Sequence, residues 1–155
     1  MFCGDISEHR LALVPEFGGI PLRVDPRHWP AAAERLLAAG SPGVDLVVEV
    51  AGAAEAVGQG MQILRVGGRY VWAGMVHPQT QLSLTGEEVV RKCVDIRGVH
   101  NYAPVHLETG LRFLEETYRE FPYEKLVSPP LPLEQLDKAM ALSQTREWLR
   151  VAVQP

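Results

Sequence analysis

The stretch that decides the fold is VDLVVEV, Val44–Val50, in which only Asp45 and Glu49 interrupt a β-branched, apolar run. A strand this apolar on both faces fits a parallel sheet covered on both sides better than an amphipathic hairpin. Helix signals flank it. PAAAERLLAA (Pro30–Ala39) has proline in its first turn and strong helix formers, and it stops at Gly40-Ser41-Pro42-Gly43. AAEAVGQGMQIL (Ala53–Leu64) is helical again, with Gly58 and Gly60 either weakening it or allowing close packing. RVGG (Arg65–Gly68) reads as a glycine C-cap, and RYVWAG (Arg69–Gly74) as the next strand.

The same rhythm extends in both directions. Upstream, an acid at Asp5 follows only Met1-Phe2-Cys3-Gly4 and leads into a helix-like segment, and GIPLRVD (Gly19–Asp25) is a short strand ending at an Asp-Pro break. Downstream, QLSL (Gln81–Leu84) reads as a short edge strand, TGEEVVRKC (Thr85–Cys93) as a helix and VDIRGVHN (Val94–Asn101) as a strand. VHLETGLRFLEETYREF (Val105–Phe121) carries Leu107, Leu111, Leu114 and Tyr118 at the spacing of a helix lying on a sheet. LVSPPLPL (Leu126–Leu133) is an extended connector, LEQLDKAMALSQ (Leu133–Gln144) a helix and WLRVAV (Trp148–Val153) a closing strand. Strands and helices alternating this densely predict an α/β fold with a mostly parallel sheet.

Bulk properties narrow the class. A chain of 155 residues suits one domain, 1–155, and can bury about 68–70% of its unfolded surface. Hydrophobic content of 46% and charged content of 22% are those of a soluble globular protein. The net charge of −4 removes the electrostatic reason to expect nucleic acid or an anionic membrane as partner. Cys3 and Cys93 lie in separate apolar segments and read as free, buried thiols of a reducing compartment ahead of a disulfide. There are no paired CxxC motifs and no HExxH, no apolar run long enough to cross a membrane, and no basic, apolar leader in the first residues. A cytoplasmic protein is the expectation.

In order and spacing, GVDLVVEVAG (Gly43–Gly52) followed by LRVGGRYVWAG (Leu64–Gly74) resembles the cofactor-binding part of the medium-chain, zinc-type alcohol dehydrogenases. The resemblance covers essentially the whole chain. DISEHRLAL (Asp5–Leu13) is similar to that family's second strand and following helix, and GVDLVVEVAG to its fourth strand. LRVGGRYVWAG is similar to its fifth strand with the preceding helix end, IRGVHNY (Ile96–Tyr102) to its sixth strand, and PLEQLDKAM with LRVAV to its closing helix and strand. VHNY (Val99–Tyr102) also resembles alcohol dehydrogenase-like enzymes linked to phosphonate catabolism. The resemblance implies a Rossmann-like, doubly wound sheet that binds NAD. It also marks departures: neither the first Rossmann strand with its G-x-G-x-x-G turn nor the zinc-holding catalytic domain is represented in these residues. Zinc is therefore expected only in that other domain. In the strand order 3-2-1-4-5-6 the missing strand is the central one. Its loss leaves two inner edges unpaired, with three outcomes: direct pairing of the flanking strands, complementation by another chain (such as a missing N-terminal segment), or simple instability.

The resemblance singles out a set of residues, several of which also have a plainer reading. Asp5 would accept hydrogen bonds from the adenosine ribose and repel a 2′-phosphate, selecting NAD over NADP; otherwise it is a helix cap. Arg10 would approach the same ribose, or is a solvated helix charge. Val50, Ala51 and Gly52 would line the adenosine side, or form a plain strand-to-helix turn. Ala73, Gly74 and Met75, with Val99 and Asn101, would hold the nicotinamide carboxamide through their backbone. His100 between the last two reads as structural. Arg150 would reach the pyrophosphate, or is an exposed strand arginine, and Glu49, where the family commonly has an acid, reads as structural.

Three functions follow in order of support. The first is the NAD(H)-binding portion of an alcohol dehydrogenase-like oxidoreductase, inactive alone and recognising its dinucleotide. The second is a non-catalytic interaction or dimerising module, pairing with a second copy through the edge at VWAGMVHPQTQLSL (Val71–Leu84). The third is a methyltransferase-like sheet, in which an acid after the second strand also holds a ribose.

Overall fold

The fold, a computed structural model, describes residues 1–38, 40–145 and 147–155. The chain divides into two compact units, residues 23–102 and residues 1–22 with 103–155. It is built from strands β1 (Phe2–Asp5), β2 (Ile20–Arg23), β3 (Val44–Glu49), β4 (Leu64–Trp72), β5 (Asp95–Gly98), β6 (Leu131–Pro132) and β7 (Val153–Gln154). The α-helices are α1 (Glu8–Leu13), α2 (Trp29–Leu37), α3 (Ala54–Ile63), α4 (Gly86–Lys92), α5 (Pro104–Thr117) and α6 (Leu136–Thr145). Ala39, the last residue of the expected second helix, lies outside the described residues. The strands form three sheets, in the orders β1-β2, β3-β4-β5 and β6-β7. The mixed α/β class with parallel sheets is the one expected. Among the described residues the pairings are β1 with β2 and β6 with β7 in one unit, and β3 with β4 and β4 with β5 in the other.

In the unit of residues 23–102, β3 and β5 run parallel to β4 on either side. One face is closed by α3, whose Val57 and Met61 meet Leu64 and Tyr70 in a buried cluster, with Val47, Trp72 and Ile96 packed around it. Tyr70 is wholly buried, and its hydroxyl donates to the carbonyls of Ala56 and Val57 at 3.1 and 3.0 Å. Gly60 makes that approach possible, because a Cβ there would stand 2.1 Å from the Tyr70 hydroxyl. The small residue in the middle of α3 is thus a packing device.

Three expectations need correcting in this unit. The first is the covering of β3 on both faces: Leu46, Val48 and Val50 are 52, 53 and 73% exposed, because α3 covers only the side that carries Val47 and Glu49. The second is RVGG as a helix cap. Helix α3 ends at Ile63, the extended Leu64 donates its N–H to the Gly60 carbonyl, and β4 begins there. The pairing jumps from Val44↔Leu64 to Leu46↔Arg69, so Arg65–Gly68 is a bulge, with Gly67 at φ +70°. The third is the edge strand at Gln81–Leu84. No strand forms there; Leu82 and Leu84 turn into the core instead. Helix α4 starts as expected, with a capping box in which Thr85 and Glu88 satisfy each other's backbone N–H groups.

In the other unit, β1 pairs with β2, and the Ile20 amide donates to the Met1 carbonyl. A 3₁₀ turn at Val14–Phe17 closes on Gly18 at φ +72°. Phe17, Phe121 and Tyr123 form an aromatic trio with centroids 5.8 to 6.0 Å apart, a spacing favourable for stacked and edge-on rings. The closing segment WLRVAV is strand only at its end, where β7 lies parallel to β6, and Arg150 adds a bridge to Val127. Helix α5 spans less than expected; its Leu107, Leu111 and Leu114, and Tyr118 just beyond its end, are exposed. The periodicity located the helix but not a covering surface.

Candidate functional site

The candidate residues fall on both units. On residues 1–22 with 103–155, Asp5 ends β1, where the backbone turns into α1. Its Oδ1 accepts from the Ser7 N–H and from Arg10 Nη2, both at 2.8 Å. Ser7, not Asp5, is the helix cap, its hydroxyl accepting the Arg10 N–H at 3.4 Å. Both bonds fall on Oδ1, and Oδ2 accepts none from the described residues. The pair is half-buried, and Arg10 Nε is buried without a partner. Arg10 stands between two hollows: an apolar cavity of about 250 Å³ bordered by Cys3, Leu11, Phe17 and Leu149, and a more polar one of about 490 Å³ bordered by Ile6, Ser7, His9, Thr145 and Glu147. Arg150 is engaged locally: its Nη1 donates to the Leu149 carbonyl at 2.7 Å and its N–H to the Leu126 carbonyl at 3.0 Å.

On residues 23–102, the structure brings Val50-Ala51-Gly52 and Ala73-Gly74 together at the carboxyl ends of β3 and β4, the end where open parallel sheets bind ligands. The Glu49 carbonyl accepts the N–H groups of Ala73 and Gly74, at 2.9 and 3.0 Å. Gly52 lies at φ +71°, and a Cβ on Gly74 would stand 2.6 Å from the Gly52 nitrogen. Glycine is required on both sides of this contact, and the result is a floor of bare backbone. The Met75 side chain belongs to the core beneath it. Val99 is tied to the same strand end by its N–H to the Trp72 carbonyl at 2.9 Å. Asn101, at φ +56°, lies with its Nδ2 3.1 Å from His100 Nε2.

Two neighbours of this floor were not among the expected cofactor-binding residues. His77 reaches it, its Cδ2 4.0 Å from where a Gly52 Cβ would be; the only sequence signal was an ordinary His-Pro break. Glu49 is 4% exposed, and its Oε1 accepts the Gly52 N–H at 2.6 Å. Burial of Tyr70 beside this carboxylate raises the phenol's pKa beyond the usual range, burial being the larger cause and the Glu49 charge the smaller.

A resident metal does not fit. Among the described residues no three His, Cys, Asp or Glu side chains come together in a group able to hold an ion. Taken unit by unit, the groups that could meet a ligand are the Asp5 carboxylate at the end of β1 in one, and the bare backbone at Gly52 and Gly74 in the other.

Comparison with known proteins gives the family. Residues 2–116 match the family model described as zinc-binding dehydrogenase. The chain is 27% identical over 113 residues to a sorbitol dehydrogenase of Halalkalibacterium halodurans, covering 73% of this chain and 32% of that protein. It is 27% identical over 151 residues to an L-threonine 3-dehydrogenase of Symbiobacterium thermophilum, covering 97% of this chain and 42% of that one. The chain thus spans well under half the length of these relatives. Among solved structures, an alcohol dehydrogenase of Thermotoga maritima superposes with a TM-score of 0.87 at 25% identity, over 99% of this chain and 43% of that one. By its family match and its fold together, the chain belongs to the zinc-binding dehydrogenases.

Proposed function

We propose that these 155 residues are one truncated dinucleotide-binding domain, the NAD(H)-binding portion of an alcohol dehydrogenase-like oxidoreductase. In the intact enzyme, hydride would pass between the nicotinamide ring and an alcohol or carbonyl carbon, with the metal held by parts outside this chain. One observation carries the reading: Asp5 ends β1 with its Oδ1 fixed by Ser7 and Arg10, leaving Oδ2 to accept from a ribose hydroxyl. A fixed carboxylate there also repels a 2′-phosphate, so NAD is preferred over NADP. The backbone of Val50, Ala51 and Gly52 would line the adenosine side. That of Ala73, Gly74, Met75, Val99 and Asn101 would lie against the nicotinamide carboxamide, and Arg150 would swing from the Leu149 carbonyl to the pyrophosphate. A missing N-terminal segment would supply the glycine loop, and copies would associate through the open sheet edge. The proposed setting is cytoplasmic; no helix among the described residues is long and apolar enough to cross a membrane.

Calorimetric titration of NAD, NADP and S-adenosylmethionine into the chain tests the reading. NAD should bind, NADP more weakly and S-adenosylmethionine not at all. Asp5→Asn should weaken NAD by about tenfold or more, the worth of one charge-assisted hydrogen bond, and narrow its lead over NADP. Equal affinities of the variant and the unmodified chain for NAD would exclude Asp5 as the ribose ligand. The chain alone should turn over no alcohol; measurable reduction of NAD would overturn that.

A further inference from the structure

Glu49 is poorly explained as a structural residue. It sits on the covered face of β3, in register with Trp72 and among apolar side chains, where a valine or leucine would pack without penalty. Burying a carboxylate costs several kcal/mol unless its oxygens are well satisfied. Here they are not. Oε1 has one bond, from Gly52, while Oε2 is buried with no partner, as is Nε1 of Trp72 on the adjacent strand. A charge retained at a loss to stability, with a single bond to show for it, directs attention to what that bond holds.

It holds the turn. The bond pins Gly52 in its left-handed conformation, and Gly52 in turn lies in backbone contact with Gly74. The carbonyl of the same Glu49 takes the Ala73 and Gly74 amides. One residue therefore fastens both strand ends, its side chain on the β3 side and its main chain on the β4 side. We infer that Glu49 is a positioning residue, whose buried carboxylate sets the Val50–Gly52 turn against Gly74 and so shapes the backbone floor on which the dinucleotide lies. This rests on the cofactor reading for its consequence, though not for its geometry.

A positioning role at a cost in stability and a structural role predict opposite results. Glu49→Met keeps the volume and removes the charge. Its melting temperature should equal or exceed that of the unmodified chain, as when a buried charge is replaced by an apolar side chain. Its affinity for NADH, read by nicotinamide fluorescence, should fall about tenfold. Glu49→Gln keeps an oxygen for the Gly52 N–H and should recover most of that affinity. Amide exchange followed by NMR in the unliganded chain gives an independent readout. The Gly52 amide should exchange faster in Glu49→Met and be protected again in Glu49→Gln. The Gly74 amide, held by the Glu49 main chain, should stay protected in all three proteins. A lower melting temperature in Glu49→Met with Gly52 still protected would overturn the inference. If the unmodified chain bound no NADH, the cofactor reading would fail, and the exchange comparison alone would decide whether Glu49 holds the turn.

Discussion

At the scale of single residues, two positions carry sharp expectations. Gly60 faces the buried Tyr70 ring so closely that even a methyl group would meet the hydroxyl and, at 2.9 Å, Val47 Cγ1. Tyr70 is wholly buried and cannot move aside, so Gly60→Ala should cost about 1–3 kcal/mol, the range for overpacking, despite alanine's better helix propensity. Urea unfolding measures this, and a gain in stability would show that α3 can shift. Asp25 offers a pH signature. Its carboxylate is held well below the usual range, first by the hydrogen bond from the His28 ring, and also by Arg23 and the Arg27 amide, against the opposing effect of partial burial. A folded pKa depressed in this way means stability that is fully present above the unfolded value, about 3.9, and lost as pH falls through the folded one. Melting temperatures taken from pH 7 down to pH 2 should therefore decline less steeply for Asp25→Asn than for the unmodified chain. A parallel decline would remove Asp25 from the acid response.

At the scale of elements, the instructive junction is that between α3 and β4. RVGG carries the signature of a glycine cap, yet the helix closes without it. The C-terminal end of α3 is instead held by Lys92, the last residue of α4, whose ammonium donates to the carbonyls of Met61, Gln62 and Leu64 at 2.6, 3.1 and 2.9 Å. A cation there satisfies orphan carbonyls and opposes the helix dipole. The contact spans some thirty residues of chain, so no local pattern could have disclosed it, whereas the Thr85–Glu88 capping box closes within a single turn. Lys92→Met should destabilise by about 1–3 kcal/mol through the unsatisfied carbonyls, and Thr85→Ala by about 1 kcal/mol through the lost cap. If denaturant unfolding ranked Lys92→Met below Thr85→Ala, the lysine would be no more than a surface contact.

At the scale of the whole molecule, what was legible depended on the range of the interaction. The strand–helix alternation and the parallel class came through because β-branched runs, proline starts and glycine stops are local signals, and VDLVVEV and RYVWAG appear as β3 and β4. Among the candidate residues, Asp5 in one unit and Gly52 and Gly74 in the other were singled out by the resemblance at strand ends. The grip of Glu49 on Gly52 and the approach of His77 depend on backbone conformation, which residue types alone do not specify. Apolar character foretold burial less well, since it records what a segment can cover and not whether a covering element is present. On β3 the difference is plain: Val47 packs beneath α3, while Leu46, Val48 and Val50 alternate with it on the opposite, open face. Side chains left this exposed contribute little to folding, since the area term counts only surface withdrawn from water. Leu46→Thr with Val48→Thr, substitutions that keep β propensity at the second site and raise it at the first, should then shift unfolding by less than about 0.5 kcal/mol per site. The same pair should lower the binding of an apolar dye such as ANS and weaken any concentration-dependent association seen by sedimentation. A loss of several kcal/mol together with unchanged dye binding would mean that this face is covered in solution.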